Sequence, residues 1–198
     1  MNKHYCAIVV LLSVFVFWAQ TAPAAETCLK CHAAFKKAKV VHPAVEMGCG
    51  SCHEKPHANK KKADLSLTAK VPDLCFTCHD KSGFTKKTIH PPVKNGQCTY
   101  CHSPHSAYRE RMLTQTVFKL CTGCHEKEAS GRHVLASVGP FESHPLKQKS
   151  DPNRKGGELS CTSCHNPHSS NGPRLFIGDA ADAKSLCLRC HEKVSVKP

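Results

Sequence analysis

The sequence predicts a mostly irregular chain with short α-helices and little or no β-sheet, ordered around something other than its own side chains. Three observations predict it. The 198 residues include 13 prolines and 11 glycines, spread so that no long helix survives. Beyond an N-terminal apolar run the chain keeps six Phe, two Tyr and no Trp. That is too little apolar bulk to offset conformational entropy by side-chain burial alone. Finally, there are 15 cysteines, and 14 of them fall in one repeated pattern.

The first element is the apolar run Ala7 to Ala19, 13 residues long. A membrane-spanning helix needs about 20 residues, so the run reads as the apolar part of a signal peptide. Ala22-Pro23-Ala24 fits a small-residue cleavage site. Residues 1–24 are therefore expected to be removed, Cys6 with them, leaving a mature chain of residues 25–198 with no transmembrane segment.

The remaining cysteines all lie in Cys-x-x-Cys-His, seven times. The seven are Cys28, Cys31 and His32; Cys49, Cys52 and His53; Cys75, Cys78 and His79; Cys98, Cys101 and His102; Cys121, Cys124 and His125; Cys161, Cys164 and His165; and Cys187, Cys190 and His191. Two thiols three residues apart share one side of a helical turn and can reach the two vinyl groups of one porphyrin. The following histidine falls under the iron as its proximal ligand. Zinc ribbons use four ligands per metal, which seven pairs do not supply evenly. A disulfide scaffold gives no reason for the recurring histidine. The pattern predicts seven covalently attached haems c, and the haems supply the missing interior.

Histidine counting gives a second line of argument. Of 15 histidines, His4 belongs to the leader and seven are proximal. His42, His57, His90, His105, His133, His144 and His168 remain, one for each iron, as expected if every haem is bis-histidine. Met47 and Met112 are the only methionines left to compete.

The chain also repeats. Three units read His-Pro, Cys-x-x-Cys-His, Pro-His, spacer, Leu-Cys-x-x-Cys-His, over residues 42–79, 90–125 and 144–191. A single leading haem at 28–32 precedes them. His133 alone stands outside this grammar, and the leading haem is the one without a partner from its own unit, so counting offers His133 as the seventh distal ligand. His105 follows His102 by three residues, and His168 follows His165 likewise. Read as helical neighbours, such pairs point the same way, so each Pro-His should ligate a different haem and keep the porphyrins close. Unit three holds 16 residues between His144 and Cys161, against six and seven in the others, which predicts an exposed loop over 145–160. Short helices are expected within Arg109 to Cys121 and Asp179 to Cys190.

The segments His90-Pro-Pro-Val-Lys-Asn-Gly-Gln-Cys-Thr-Tyr-Cys-His-Ser-Pro-His105 and Cys161-Thr-Ser-Cys-His-Asn-Pro-His-Ser-Ser170 resemble the doubled-CXXCH multihaem c-type cytochromes. That family includes periplasmic electron donors to nitrite reductase and decahaem cytochromes seated in outer-membrane porins. The resemblance implies a chain wrapped around a row of haems, with the proximal role on each motif histidine and the distal role on the His-Pro and Pro-His residues.

The formal charge of +13 becomes +12 when Lys3 leaves. Basic chains suggest acidic or nucleic-acid partners, but haem propionates take up this charge. Lys60-Lys61-Lys62 has no interleaved aromatics, which argues against nucleic acid. Six-coordinate irons leave one-electron exchange as the chemistry, and His/His ligation lacks the methionine that raises potential. The expectation is a heptahaem electron carrier of anaerobic respiration, not an enzyme. It would be periplasmic, with outer-membrane association or an extracellular position as alternatives. Its partners would be other redox proteins: a membrane quinol dehydrogenase, a terminal reductase or a porin–cytochrome complex. The competing readings are a small nitrite- or hydroxylamine-type oxidoreductase with one open haem, and a filament-forming subunit.

Overall fold

A computed structural model describes residues 25–54, 66–130 and 150–191. The expected signal peptide lies outside the described residues, as do His57, His133 and His144. Among the described residues the architecture is short helices and turns with two minimal sheets. Helix α1 is Ala25–Cys31, α2 Pro43–Met47, α3 Asp73–Phe76, α4 Pro91–Lys94, α5 Val117–Thr122, α6 Cys161–Cys164 and α7 Ala183–Cys187. No helix among them is long and apolar enough to cross a membrane.

Their starts are written locally. Proline opens α2 and α4, where its missing N–H costs nothing and its fixed φ suits the first turn. The Thr116 hydroxyl accepts from the Lys119 amide ahead of α5, and Asp182 caps α7 by accepting from the Ser185 amide at 2.7 Å. These caps also explain where the expected helices fall short. Arg109 to Cys121 is helical only from Val117, because Arg111 and Met112 sit at φ 55° and 60° and Thr116 begins a new helix. Asp179 to Cys190 is helical only from Ala183, since Asp179 has φ 55° and Asp182 is extended.

Strands β1 (Val40–Val41), β2 (Thr88–Ile89), β3 (Ser106–Ala107) and β4 (Ser169–Ser170) make two antiparallel pairs, β1 with β3 and β2 with β4. The registers are Val40 opposite Ala107, Val41 opposite Ser106, Thr88 opposite Ser170 and Ile89 opposite Ser169. Each ladder continues into a histidine: the His42 amide donates to the His105 carbonyl at 2.8 Å, and the His90 amide to His168 at 3.0 Å. Every ladder therefore joins the start of one unit to the Pro-His of the next.

The apolar interior is thin. Leu29 and Val45 pack with Phe35 and Val41, and the other buried apolar side chains among the described residues are Ala107, Leu159, Phe176 and Ala180. Polar contacts do much of the joining. Ser169 and Ser170 are wholly buried; their hydroxyls donate to the carbonyls of Gly83 and Phe176 at 2.8 and 2.6 Å. Asp179 accepts from the Asn171 amide and pairs with Lys86 at 3.0 Å. These contacts, the Asn171 amide first, hold its carboxyl down at about 2. The described part of the unit-three insertion, residues 150–160, is mostly exposed, as expected, but it is anchored. Asp151 and Leu159 are buried, and Asp151 accepts from the Ser163 hydroxyl at 2.6 Å, tying the insertion to α6.

Candidate haem-binding sites

All seven motifs share one local geometry. In each, the histidine amide donates to the carbonyl of the first cysteine: His32 to Cys28 at 3.0 Å, His53 to Cys49 at 2.9, His79 to Cys75 at 3.0, His102 to Cys98 at 3.1, His125 to Cys121 at 2.9, His165 to Cys161 at 2.9 and His191 to Cys187 at 3.0. This is one α-turn, and it sets both thiols and the imidazole on one side of the backbone. The turn forms whether the segment ends a helix, as in α1 and α7, or stands as a 3-10 turn, as at Cys49–Ser51 and Cys98–Tyr100. None of the 14 motif cysteines is in a disulfide.

The structure brings proximal and spare histidines together in twos. His42 stands 6.0 Å from His79, centroid to centroid, with ring planes 11° apart. His53 and His105 are 6.0 Å apart at 22°, His90 and His125 6.2 Å at 19°, and His102 and His168 5.9 Å at 33°. A metal–imidazole bond of about 2 Å puts two rings on opposite sides of one metal about 6 Å apart. All four pairs have this spacing. Two phenylalanines lie closer on the spare imidazoles, Phe35 on His105 at 4.5 Å and Phe84 on His168 at 4.7 Å, while the His32 and Phe35 rings stand 5.9 Å apart. Each pair would thus offer two imidazole nitrogens, one from either side, which suits haem iron. Among the described residues no His, Cys, Asp or Glu group of three or more converges as a bare ion would require.

Electrostatics fits the same reading. Burial, chiefly, pushes the pKa values of His90, His105 and His168 below the usual histidine range, and the facing imidazoles His125, His53 and His102 add to it. Each is held neutral, the form that donates a lone pair to iron. His42 Nδ1 is buried with no partner. Its close counterpart in unit two, His90, hydrogen-bonds the Pro167 carbonyl.

Successive motifs also touch. Cys49 lies beside Cys28, Cys75 beside Cys98 and Cys121 beside Cys161. Cys101 lies near Cys124, and Cys164 near Cys190 and Cys187. The motifs follow one another in space in the order of the sequence.

Three stretches, residues 42–84, 90–130 and 151–196, match the family described as the doubled CXXCH motif, and together they take in well over half of the chain. The chain belongs to this family. It is a doubled-CXXCH multihaem c-type cytochrome, and its motifs fit covalently bound haem c. A curated relative, the multiheme cytochrome MtrA of Shewanella baltica (strain OS185), is 27% identical over 196 residues, covering 84% of this chain and 52% of that protein. The chain thus spans about half the length of the relative it matches.

Within this doubled-CXXCH cytochrome, His105 faces His53 rather than its sequence neighbour His102, and His168 faces His102 rather than His165. The reason differs from the helical one expected. Residues 102–105 are not helical; His102 sits in an isolated bridge with Leu113, and His105 leads into β3. His32, His165 and His191 take their places in the motif turn, but the histidines left for them lie outside the described residues.

Two features escaped the sequence reading. Phe35 and Phe84 lie against distal imidazoles, each following a motif by a few residues. The carbonyls of Arg111 and Arg174 lie 2.7 Å from Nδ1 of His102 and His165. The signal was present as Arg-Met-Leu and Arg-Leu-Phe, each starting nine residues after its histidine.

Proposed function

We infer that the chain is a periplasmic heptahaem cytochrome that relays single electrons in anaerobic respiration, with every iron held between two histidines. The four imidazole pairs at 5.9–6.2 Å carry this reading. Haem iron supplies reversible one-electron exchange; the chain supplies two neutral imidazoles per iron and leaves no axial position for a substrate. The contacts between successive motif cysteines support a relay running from the Cys28 end to the Cys187 end.

The pairs obey a rule. The His-Pro histidine faces the second motif of its own unit, as His42 faces His79 and His90 faces His125. The Pro-His histidine faces the first motif of the preceding unit, as His105 faces His53 and His168 faces His102. Carried across the chain, the rule gives His144 to the haem of His191 and His57 to the leading haem of His32. One motif, Cys161 to His165, has no following unit to serve it, and one histidine, His133, remains. In this reading His133 ligates the haem at Cys161, so the irregular site is next to last in the array and the leading haem is regular. The partners would be other redox proteins: a quinol dehydrogenase as donor, and a terminal reductase or porin–cytochrome complex as acceptor.

Carbon monoxide tests this, because it takes reduced haem only at an open axial position. The reduced wild type is expected to bind none and to turn over neither nitrite nor hydroxylamine. His133→Ala is expected to bind carbon monoxide at one haem, that of Cys161, which peptide mapping of the haem-bearing fragment after photolabelling would locate. Binding by the wild type, or by a different haem in the variant, contradicts the assignment.

A further inference from the structure

The strongest backbone anomaly in the molecule lies beside the haem motifs. Arg111 and Met112 have φ of 55° and 60°, and Arg174 and Leu175 have φ of 51° and 59°. Consecutive left-handed residues without a glycine are costly, because Cβ crowds the following carbonyl. Such outliers persist where the surroundings need them, often at functional sites. Here the same pair recurs at the same offset in units two and three.

The consequence of the bend is also the same in both units. It turns two successive carbonyls onto one motif. The Met112 carbonyl accepts from the Ser103 amide at 2.8 Å, and that of Leu175 from Asn166 at 2.7 Å. The Arg111 and Arg174 carbonyls lie 2.7 Å from Nδ1 of His102 and His165, shorter than the usual N–H···O distance. A carbonyl can only accept, so Nδ1 carries the proton and Nε2 is left for iron. Among the described residues the rings of His79 and His125, the proximal histidines of second haems, have no hydrogen-bonded protein partner. The corresponding carbonyl in unit one belongs to Leu65, outside the described residues.

We propose that Arg111 and Arg174 are positioning residues whose carbonyls, aimed by the left-handed bend, strengthen His102 and His165 as donors to iron, and that in unit two this sets the first haem at a lower potential than the second. This rests on the ligation reading above. A proximal histidine whose Nδ1–H is held by an acceptor is the more basic ligand, and a more basic ligand favours ferric iron. The relay then steps in potential within unit two instead of running level.

Two variants separate the backbone effect from the side chain. The Arg111 guanidinium bears on His168, so both variants remove it. Arg111→Gly keeps the left-handed φ without strain, whereas Arg111→Pro forbids it. In spectropotentiometric titration of the intact holoprotein, one haem midpoint is expected to lie higher in Arg111→Pro than in Arg111→Gly, with the other midpoints and the low-spin spectrum unchanged. Equal midpoints in the two variants overturn the proposal. If Arg111→Pro does not fold, the wild type still decides by NMR: the Nδ1 protons of His102 and His165 should exchange with solvent more slowly than those of His79 and His125, and equal exchange overturns it. A high-spin haem in the wild type would instead defeat the ligation reading, which keeps the two failures distinct.

Discussion

His168→Ala is expected to open the haem of His102 and leave the haem of His165 unchanged. His168 sits three residues after His165 in sequence, yet its ring stands 5.9 Å from that of His102 in the preceding unit. It is held there from both sides. Its carbonyl accepts the His90 amide, β2 and β4 pair beside it, and Phe84 lies on its ring at 4.7 Å. Removing the imidazole removes one iron ligand without removing the ladder, which is backbone. The oxidised variant should therefore show one high-spin ferric haem, and the reduced variant one carbon monoxide adduct, on the fragment containing Cys98 and Cys101. An adduct on the Cys161 fragment would mean that each unit ligates its own haems and that the units are not interlocked. Six-coordinate spectra at every haem would remove His168 from the ligand set.

The largest effect on stability should come from the thioether bonds. A variant with all 14 motif cysteines changed to serine is expected to show no cooperative thermal transition by circular dichroism. The described residues bury six apolar side chains, far fewer than a chain of this length needs to offset its conformational entropy. Helices of seven residues or fewer do not persist alone in water, and two-residue strand pairs are weaker still. Porphyrins, clasped between imidazoles and fixed by two thioethers each, would supply the apolar interior. A sharp melting transition in the serine variant would show a polypeptide core that the burial pattern does not contain.

Much of this organisation is legible in the residues. Seven repeats of one five-residue motif name the cofactor, because that spacing fits one α-turn, and the structure forms the turn seven times. Proline and glycine placement foretells short helices, and Thr116 and Asp182 mark where two of them begin. The partner of each iron is less visible. It depends on a ladder hydrogen bond, such as His42 to His105, between residues more than sixty positions apart in sequence. Two-residue strands carry too little alternation to announce that pairing. Helical geometry, invoked for His102 and His105, gives the right separation for a wrong reason, since the backbone there is not helical. The left-handed bends at Arg111 and Arg174 are invisible to propensity, which would place glycine or asparagine at such φ values. They become intelligible only beside the histidines they serve.

The central claim is that seven haems are each closed by two histidines of this one chain. Spin-quantified electron paramagnetic resonance of the oxidised protein, matured with a haem-ligation system, tests both the number and the ligation at once. The account predicts seven low-spin ferric haems per chain and no high-spin signal. Fewer than seven spins, or a high-spin haem in the wild type, would contradict it.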